Sequence, residues 1–156
     1  MKNEAEITDY IAKNFTGVSA ASSPGGSFFF YDPHGDLPAD HRFPFVTTTI
    51  ADDYDTASQL SRPGVFRLNI GVSKKAYRQL FGPPPAPPKE NGVVETGHDF
   101  TALDVIMPHP IYAPQHWVCV LNPDEATLDE VKRLLTDAYE NAVRKFEKRV
   151  AEKNGE

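Results

Sequence analysis

The chain has 156 residues, of which 40% are hydrophobic and 24% charged, which is typical of one globular domain and excludes fibrous and disordered classes. A formal net charge of −6 argues against binding that depends on neutralising phosphates, so nucleic acid is not an expected partner. The single cysteine, Cys119, excludes an internal disulfide, and without an apolar run or a leader-like start we expect a cytoplasmic protein with no membrane segment.

The first part of the chain predicts a helix followed by strands. "EAEITDYIAKNF" (4–15) repeats its apolar residues at three and four positions, which is typical of a helix with one buried side, and "SSPGG" should end it. "SFFFY" (27–31) and "FPFVTTTI" (43–50) are rich in aromatic and β-branched residues, so both are expected to be strands.

The most regular strand pattern lies at 64–72, in "GVFRLNIGV". Its aromatic and aliphatic residues alternate with Arg67 and Asn69, and side chains alternate between the two faces of a strand. We therefore expect Arg67 and Asn69 to project together from the less apolar face.

A short helix and a proline-rich loop follow. Ser73 is expected to cap the helix "KKAYRQLF", which should end at Gly82. The loop 82–92 contains "PPPAPP", in which proline prevents both a helix and a strand. A stiff spacer is favoured over a docking motif for SH3 or WW domains, because the segment is short and lies between structured elements.

Two further strands are predicted at 102–107 and 116–121. The segment "PHPIYAP" joins them, and its three prolines should hold it extended as a structural strap. Trp117, the only tryptophan, is expected to add area to the core.

The C-terminal segment is predicted to form the longest helix of the chain. Thr127 and Glu130 have the spacing of a capping box, and apolar residues then recur at three and four positions as far as Val150. Together the elements predict an α+β fold: one domain over 1–156, a mainly antiparallel sheet of about five strands with helices packed on one face, and a long C-terminal helix.

Three segments carry a family resemblance. "RPGVFRLNIGVSKKAYRQLFG", "LDVIMPHPIYAPQHWVCVLNP" and the terminal helix resemble the DUF6194 proteins, a family of unknown function. "HWVCVLNPDEATLDEVKRLLTDAYENAVRK" is also similar to the C-terminal half of the wider MmcQ/YjbR-like group. That resemblance implies a CyaY-like α+β domain, for which DNA binding has been suggested by fold alone. This acidic sequence departs from the suggestion, and the resemblance supplies no catalytic residues.

Histidines and carboxylates form two groups that raise the question of a metal site. No pair has the spacing of a zinc motif, and exposed turns are commonly rich in these residues, so neither a metal nor a cofactor is predicted. The side chains considered are His34, Asp36, Asp40 and His41 in one turn, and His98, Asp99, His109 and His116 further along.

Two arrangements suggest catalysis. Cys119 could act as a nucleophile with His109 or His116, but its place on the strand predicts that it points into the core and is inert. The carboxylates of "ADDYDTAS" (51–58) could bind a cation or transfer protons, but the stretch is better explained as a polar turn without the burial that shifts a pKa.

The remaining candidate is a polar pocket. Arg67 offers a planar fork for an anion, and His109 is expected to titrate near neutral pH. The alternative, which the frequency of polar cross-strand pairs favours, is that Arg67 pairs with Asp104 and His109 only orients the proline-rich turn. The pocket residues are Arg67, Asn69, Asp104, His109 and Tyr112.

These patterns predict a non-catalytic domain that binds a small anionic ligand or a protein partner. An enzyme of unknown class that uses Arg67, Asp104 and His109 is the alternative, and nucleic-acid binding by family analogy comes third. The sequence also leaves a homodimer open.

Overall fold

A computed structural model describes residues 3–90 and 92–154, which form a six-stranded antiparallel sheet and three helices. The helices are α1 (Glu4–Asn14), α2 (Lys74–Phe81) and α3 (Leu128–Asn154). The strands are β1 (Val18–Ser23), β2 (Gly26–Tyr31), β3 (Pro44–Thr49), β4 (Arg67–Gly71), β5 (Met107–Pro108) and β6 (Trp117–Leu121). They lie in the order β1-β2-β3-β4-β6-β5, and the predicted α+β fold with a long C-terminal helix is confirmed.

One face of the sheet is apolar and packs against α1 and α3. Val46, Ile70 and Val118 oppose one another across β3, β4 and β6, so their side chains share this face. On the same face, Thr48 donates a hydrogen bond of 2.5 Å to Glu4 of α1, and α3 contacts β2, β3 and β4. The buried residues that the two helices contribute are Ile7, Ile11, Val131, Leu134, Leu135 and Ala138.

The opposite face of the sheet carries polar side chains at its centre. One row in register across five strands is Phe28, Thr47, Asn69, Cys119 and Met107. The next row is Thr49, Arg67 and Leu121. The chain connections β3–β4 and α2–β5 lie over this face, and Arg62 joins them by donating to the carbonyls of Ser58 and Thr101.

The first two strands form a hairpin that the sequence pattern did not predict. Ser23 pairs with Gly26 across a two-residue turn, where "SSPGG" was expected only to end the first helix. A side chain at Gly26 would collide with the carbonyl of Thr48, so the close approach of β3 requires glycine. The small residues of "VSAASS" have low strand propensity, and β1 is held at the sheet edge by its backbone pairing with β2.

The strand predicted at 102–107 is wrong in most of its length. Only Met107 and Pro108 form a strand there, while Leu103 makes a single bridge to Leu121. Asp104 adopts a left-handed backbone with φ 56°, which an extended strand does not allow.

The second helix begins and ends where the sequence predicts. Ser73 accepts a hydrogen bond from the Ala76 amide, and Gly82 ends the helix with φ 76°. Ser73 also donates to Asp137, which ties α2 to α3. None of the helices within residues 3–90 and 92–154 combines the length and apolar character that a membrane span requires.

The terminal helix provides a stability test. Leu135 is fully buried, so Leu135→Ala should lower the free energy of unfolding by about 2–5 kcal/mol in urea denaturation. Phe146 is only half-buried and contacts Tyr31 edge-on at 5.2 Å between ring centroids, so Phe146→Ala should cost less. An equal or larger loss for Phe146→Ala would contradict this packing.

Candidate ligand-binding cleft

An open cleft of about 830 Å³ lies over the polar face of the sheet. Its floor comes from β3, β4 and His109, and its walls come from the β3–β4 and α2–β5 connections and from Ile111 and Tyr112. Four of the five residues predicted as a pocket line it, namely Arg67, Asn69, His109 and Tyr112. The wall residues include Asp52, Tyr54, Asp55, Lys89, Val93 and Ile111.

Arg67 is the central group of the floor, and its side chain is 2% exposed. Nη1 and Nη2 donate to the two carboxylate oxygens of Asp55 at 3.0 and 2.8 Å, while Nε donates to Asn69 at 2.8 Å. Nη1 also donates to Ser58 at 3.1 Å. Arg67 is therefore neutralised within the protein, and the pairing with Asp104 that the sequence favoured is wrong.

Asp55 is ionised in this arrangement. Burial by itself raises the pKa of its carboxyl, but the hydrogen bond and charge of Arg67 outweigh burial and hold this pKa below the ordinary value of 3.8. The carboxylate also accepts from the Ala57 amide at 3.1 Å. The interpretation of 51–58 as a polar turn without a shifted pKa is thus corrected, because the turn folds Asp55 down onto the sheet.

Asn69 links Arg67 to two threonines. Its Oδ1 accepts from Arg67, which has only donors, so the amide orientation is fixed and Nδ2 points to β3. Nδ2 donates to Thr47 at 3.0 Å and to Thr49 at 2.9 Å. Each hydroxyl therefore keeps its own hydrogen, and neither donates it to a residue that the structure describes.

His109 is a neutral hydrogen-bond donor at the cleft. Its Nδ1 accepts from the amides of Ile111 and Tyr112, both at 3.0 Å, so the ring proton belongs on Nε2. No residue within the described ranges accepts a hydrogen bond from Nε2. Burial, with the charge of Arg67, lowers the pKa of His109 to about 3, although Asp55 acts to raise it. The expectation that His109 titrates near neutral pH is therefore wrong.

The same hydrogen bonds correct the expected geometry of "PHPIYAP". His109 folds the segment into a tight turn, and a 3₁₀ turn follows at Ala113–Gln115, so the strap is not extended. Trp117 is half-buried and lines the cleft, and its ring covers Gly71, where a Cβ would be 2.8 Å away.

Two tyrosines flank the mouth of the cleft. Tyr54 is 58% exposed and Tyr112 55% exposed, yet both rings have defined contacts. The Tyr54 hydroxyl lies 2.8 Å from that of Ser23, and its ring covers the hairpin at Gly25. The Tyr112 ring lies 5.1 Å from that of His109, measured between centroids. The mouth thus presents two positioned aromatic surfaces to solvent.

Asp104 does not line the cleft, although the sequence placed it in the pocket. Its carboxylate accepts from the Asp124 amide at 2.8 Å, the Ala126 amide at 3.1 Å and the Thr127 hydroxyl at 2.6 Å. Because Thr127 directly precedes α3, Asp104 stabilises the start of that helix. Its left-handed backbone turns the side chain toward α3 rather than along a strand.

The cysteine is a core residue, as the sequence predicts. Cys119 is fully buried, and burial raises the pKa of its thiol to about 12, so thiolate is negligible at neutral pH. Within residues 3–90 and 92–154, no group of three or more histidine, cysteine or carboxylate side chains converges as a metal site requires.

The sequence analysis did not assign Thr47, Thr49, Asp55 or Ser58 to the pocket, although it considered the carboxylates of 51–58 as a separate site. The alternation in "FPFVTTTI" already placed the two threonines on one face of a strand, which was the available signal. Asp55 and Ser58 had no such signal, because an irregular connection carries no periodicity.

The Arg67–Asp55 pair gives the first test of this site. Arg67→Gln should lower the free energy of unfolding by roughly 3–5 kcal/mol, because it leaves Asp55 without its counter-charge. Combined with Asp55→Asn, it should show coupling of about 0.5–3 kcal/mol in a double-mutant cycle.

Asp104→Asn is the matched control for that cycle. Arg67 and Asp104 share no hydrogen-bond partner, so the losses in the free energy of unfolding from Arg67→Gln and Asp104→Asn should add. Coupling with Asp104 but not with Asp55 would restore the original pairing and contradict the network.

A pH series tests His109. Between its native pKa of about 3 and the ordinary 6.5, the unfolded state binds more protons, so stability is complete above 6.5 and falls as the pH drops through this window. The slope from His109 should reach about 1.4 kcal/mol per pH unit. His109→Gln should flatten the slope, whereas the exposed control His98→Gln should not. An unchanged slope in His109→Gln would contradict the burial of a neutral imidazole.

Comparison with known proteins leads to one family. The profile of DUF6194, described as a family of unknown function, matches residues 1–151. No curated protein and no solved structure matches the chain. The match includes the three segments that carried the resemblance and extends over nearly the whole sequence. The chain belongs to the DUF6194 family.

Proposed function

We propose that this protein is a non-catalytic binding domain whose cleft holds the anionic head of a small molecule. The observation that carries the proposal is the donor-rich floor. Thr47 and Thr49 each keep a hydroxyl hydrogen, and His109 keeps its Nε2 hydrogen, after the hydrogen bonds within the protein are made. A ligand with acceptor oxygens would pair with these donors.

Arg67 has a different part in this proposal from the one the sequence suggested. Four hydrogen bonds to Asp55, Asn69 and Ser58 already occupy it, so it does not offer its fork to a ligand. Its role is to position Asn69, which in turn orients Thr47 and Thr49. The cleft binds its ligand through the uncharged donors of Thr47, Thr49 and His109, which lie beside the neutralised Arg67–Asp55 pair.

The electrostatics favour binding over catalysis by these groups. With a pKa of about 3 and Nδ1 occupied by two amides, His109 is a poor general base at neutral pH. Cys119 is fully buried with a pKa of about 12, which disfavours it as a nucleophile.

The remaining expectations belong to the same proposal. A cytoplasmic location is supported by the single, buried and unpaired Cys119, which suits a reducing compartment. Membership in the wider MmcQ/YjbR-like group is supported by the strand-to-helix pattern of β6 and α3. The net charge of −6 continues to disfavour nucleic acid as the partner.

A screen of small carboxylic acids tests the proposal. With ¹⁵N-labelled protein, at least one acid should shift the amide resonances of β3 and of the turn after His109. Thr47→Val should raise the dissociation constant of that acid about fivefold, which corresponds to the loss of one hydrogen bond. Thr47→Ser keeps the hydroxyl and should bind the acid like the parent protein.

Melting temperatures of both variants separate a loss of binding from a loss of fold, because Thr47→Val also removes an acceptor for Asn69. A screen in which every acid leaves the cleft resonances unchanged would refute the binding proposal. Equal affinities of Thr47→Val and Thr47→Ser would refute the role of the floor.

A further inference from the structure

The geometry points to an aromatic monocarboxylate as the ligand class of this cleft. This inference rests on the proposed function and goes beyond it, because it assigns the head group, its charge and the shape of the ligand body. Each of these three parts has its own observation.

The head group follows from the types of hydrogen-bonding group on the floor. Thr47, Thr49 and His109 have hydrogens to donate, while each hydroxyl oxygen already accepts from Asn69 and Nδ1 of His109 already accepts from two amides. The Asp55 oxygens are engaged by Arg67 and by the Ala57 amide. A carboxylate has only acceptors and fits such a floor. A primary amide keeps one acceptor oxygen but replaces the other by an NH2 group, so it can accept from fewer of these donors.

The single charge follows from the charges that line the cleft. The charged side chains among its described lining residues are Asp52, Asp55, Arg67 and Lys89, two of each sign. Arg67 and Asp55 neutralise each other, which leaves one charge of each sign, and Asp52 accepts from the Leu60 amide. Lys89 is the cation of the described lining that has no ion-pair partner, so it can meet one negative charge. A phosphate dianion would add two charges next to the ionised Asp55, and its desolvation would not be repaid.

The aromatic body follows from the two exposed tyrosine rings. More than half of the surface of Tyr54 and of Tyr112 faces solvent, although Ser23 and the hairpin fix one ring and His109 lies against the other. Exposed rings that are held in place lose little entropy when a planar ligand stacks on them. Val93 and Ile111 extend the apolar wall between the mouth and the floor.

Four probes of similar size separate these three parts. Benzoate has the ring and a single charge, benzamide removes the charge, phenylphosphonate doubles it, and cyclohexanecarboxylate removes the aromatic ring. Dissociation constants would be measured by NMR titration, at a pH where the phosphonate is a dianion. Benzoate should bind at least about fivefold more tightly than each of the others, since one hydrogen bond or one ring contact contributes about 1 kcal/mol.

A pair of tyrosine variants supplies the matched control. Tyr112→Leu should weaken benzoate to the affinity of cyclohexanecarboxylate, while Tyr112→Phe keeps the ring and should bind benzoate like the parent. Because Tyr112 is 55% exposed, both variants should keep the parent melting temperature.

The outcomes distinguish this inference from the function on which it rests. If benzamide or phenylphosphonate binds as tightly as benzoate, the assignment of a monocarboxylate head group is wrong. If cyclohexanecarboxylate binds as tightly as benzoate, the assignment of an aromatic body is wrong. In those cases the proposed function stands, provided that Thr47→Val still weakens the bound probe. If none of the four probes shifts the cleft resonances but another acid of the screen does, the inference fails and the proposed function stands. If no acid shifts them, both fail.

Discussion

A guanidinium group in the middle of a sheet loses its hydration, so the protein must supply both a counter-charge and acceptors for its N–H groups. Arg67 is 2% exposed, and Asp55 supplies the charge while Asn69 and Ser58 supply further acceptors. Asp55 and Ser58 belong to the β3–β4 connection, so meeting the needs of Arg67 brings that connection over the sheet and builds one wall of the cleft. Removing one partner of a buried pair of this kind is strongly destabilising because the other charge is left buried and unpaired, so the two residues depend on each other.

The chemistry of the cleft is a consequence of the same pair. Because Asp55 holds Arg67, Asn69 can accept from Nε and direct both of its own hydrogens to Thr47 and Thr49. These hydroxyls are left as donors, and burial with the charge of Arg67 keeps His109 neutral. The ion pair thus determines which groups of the floor can donate to a ligand, although the pair itself does not bind the ligand.

The sequence predicted the elements whose periodicity is local. The alternation in β4 placed Arg67 and Asn69 together, and the repeat in α3 identified the long helix, because both patterns follow from burial of one face. The β1 strand was missed because its small residues bury little, and the partner of Arg67 was missed because Asp55 lies in a connection without periodicity. The sequence placed Asp104 in the pocket, but its own left-handed backbone directs its side chain to the start of α3. Long-range polar contacts of this kind depend on how the connections fold, which a residue pattern does not record.

A crystal structure of the protein with benzoate would show whether the compensated Arg67–Asp55 pair leaves a donor floor for a carboxylate. We expect carboxylate oxygens within about 3 Å of the Thr47 hydroxyl and of Nε2 of His109, with the ion pair intact and the ring against Tyr112. A carboxylate that displaces Asp55 and takes the fork of Arg67, or one bound away from this floor, would contradict it.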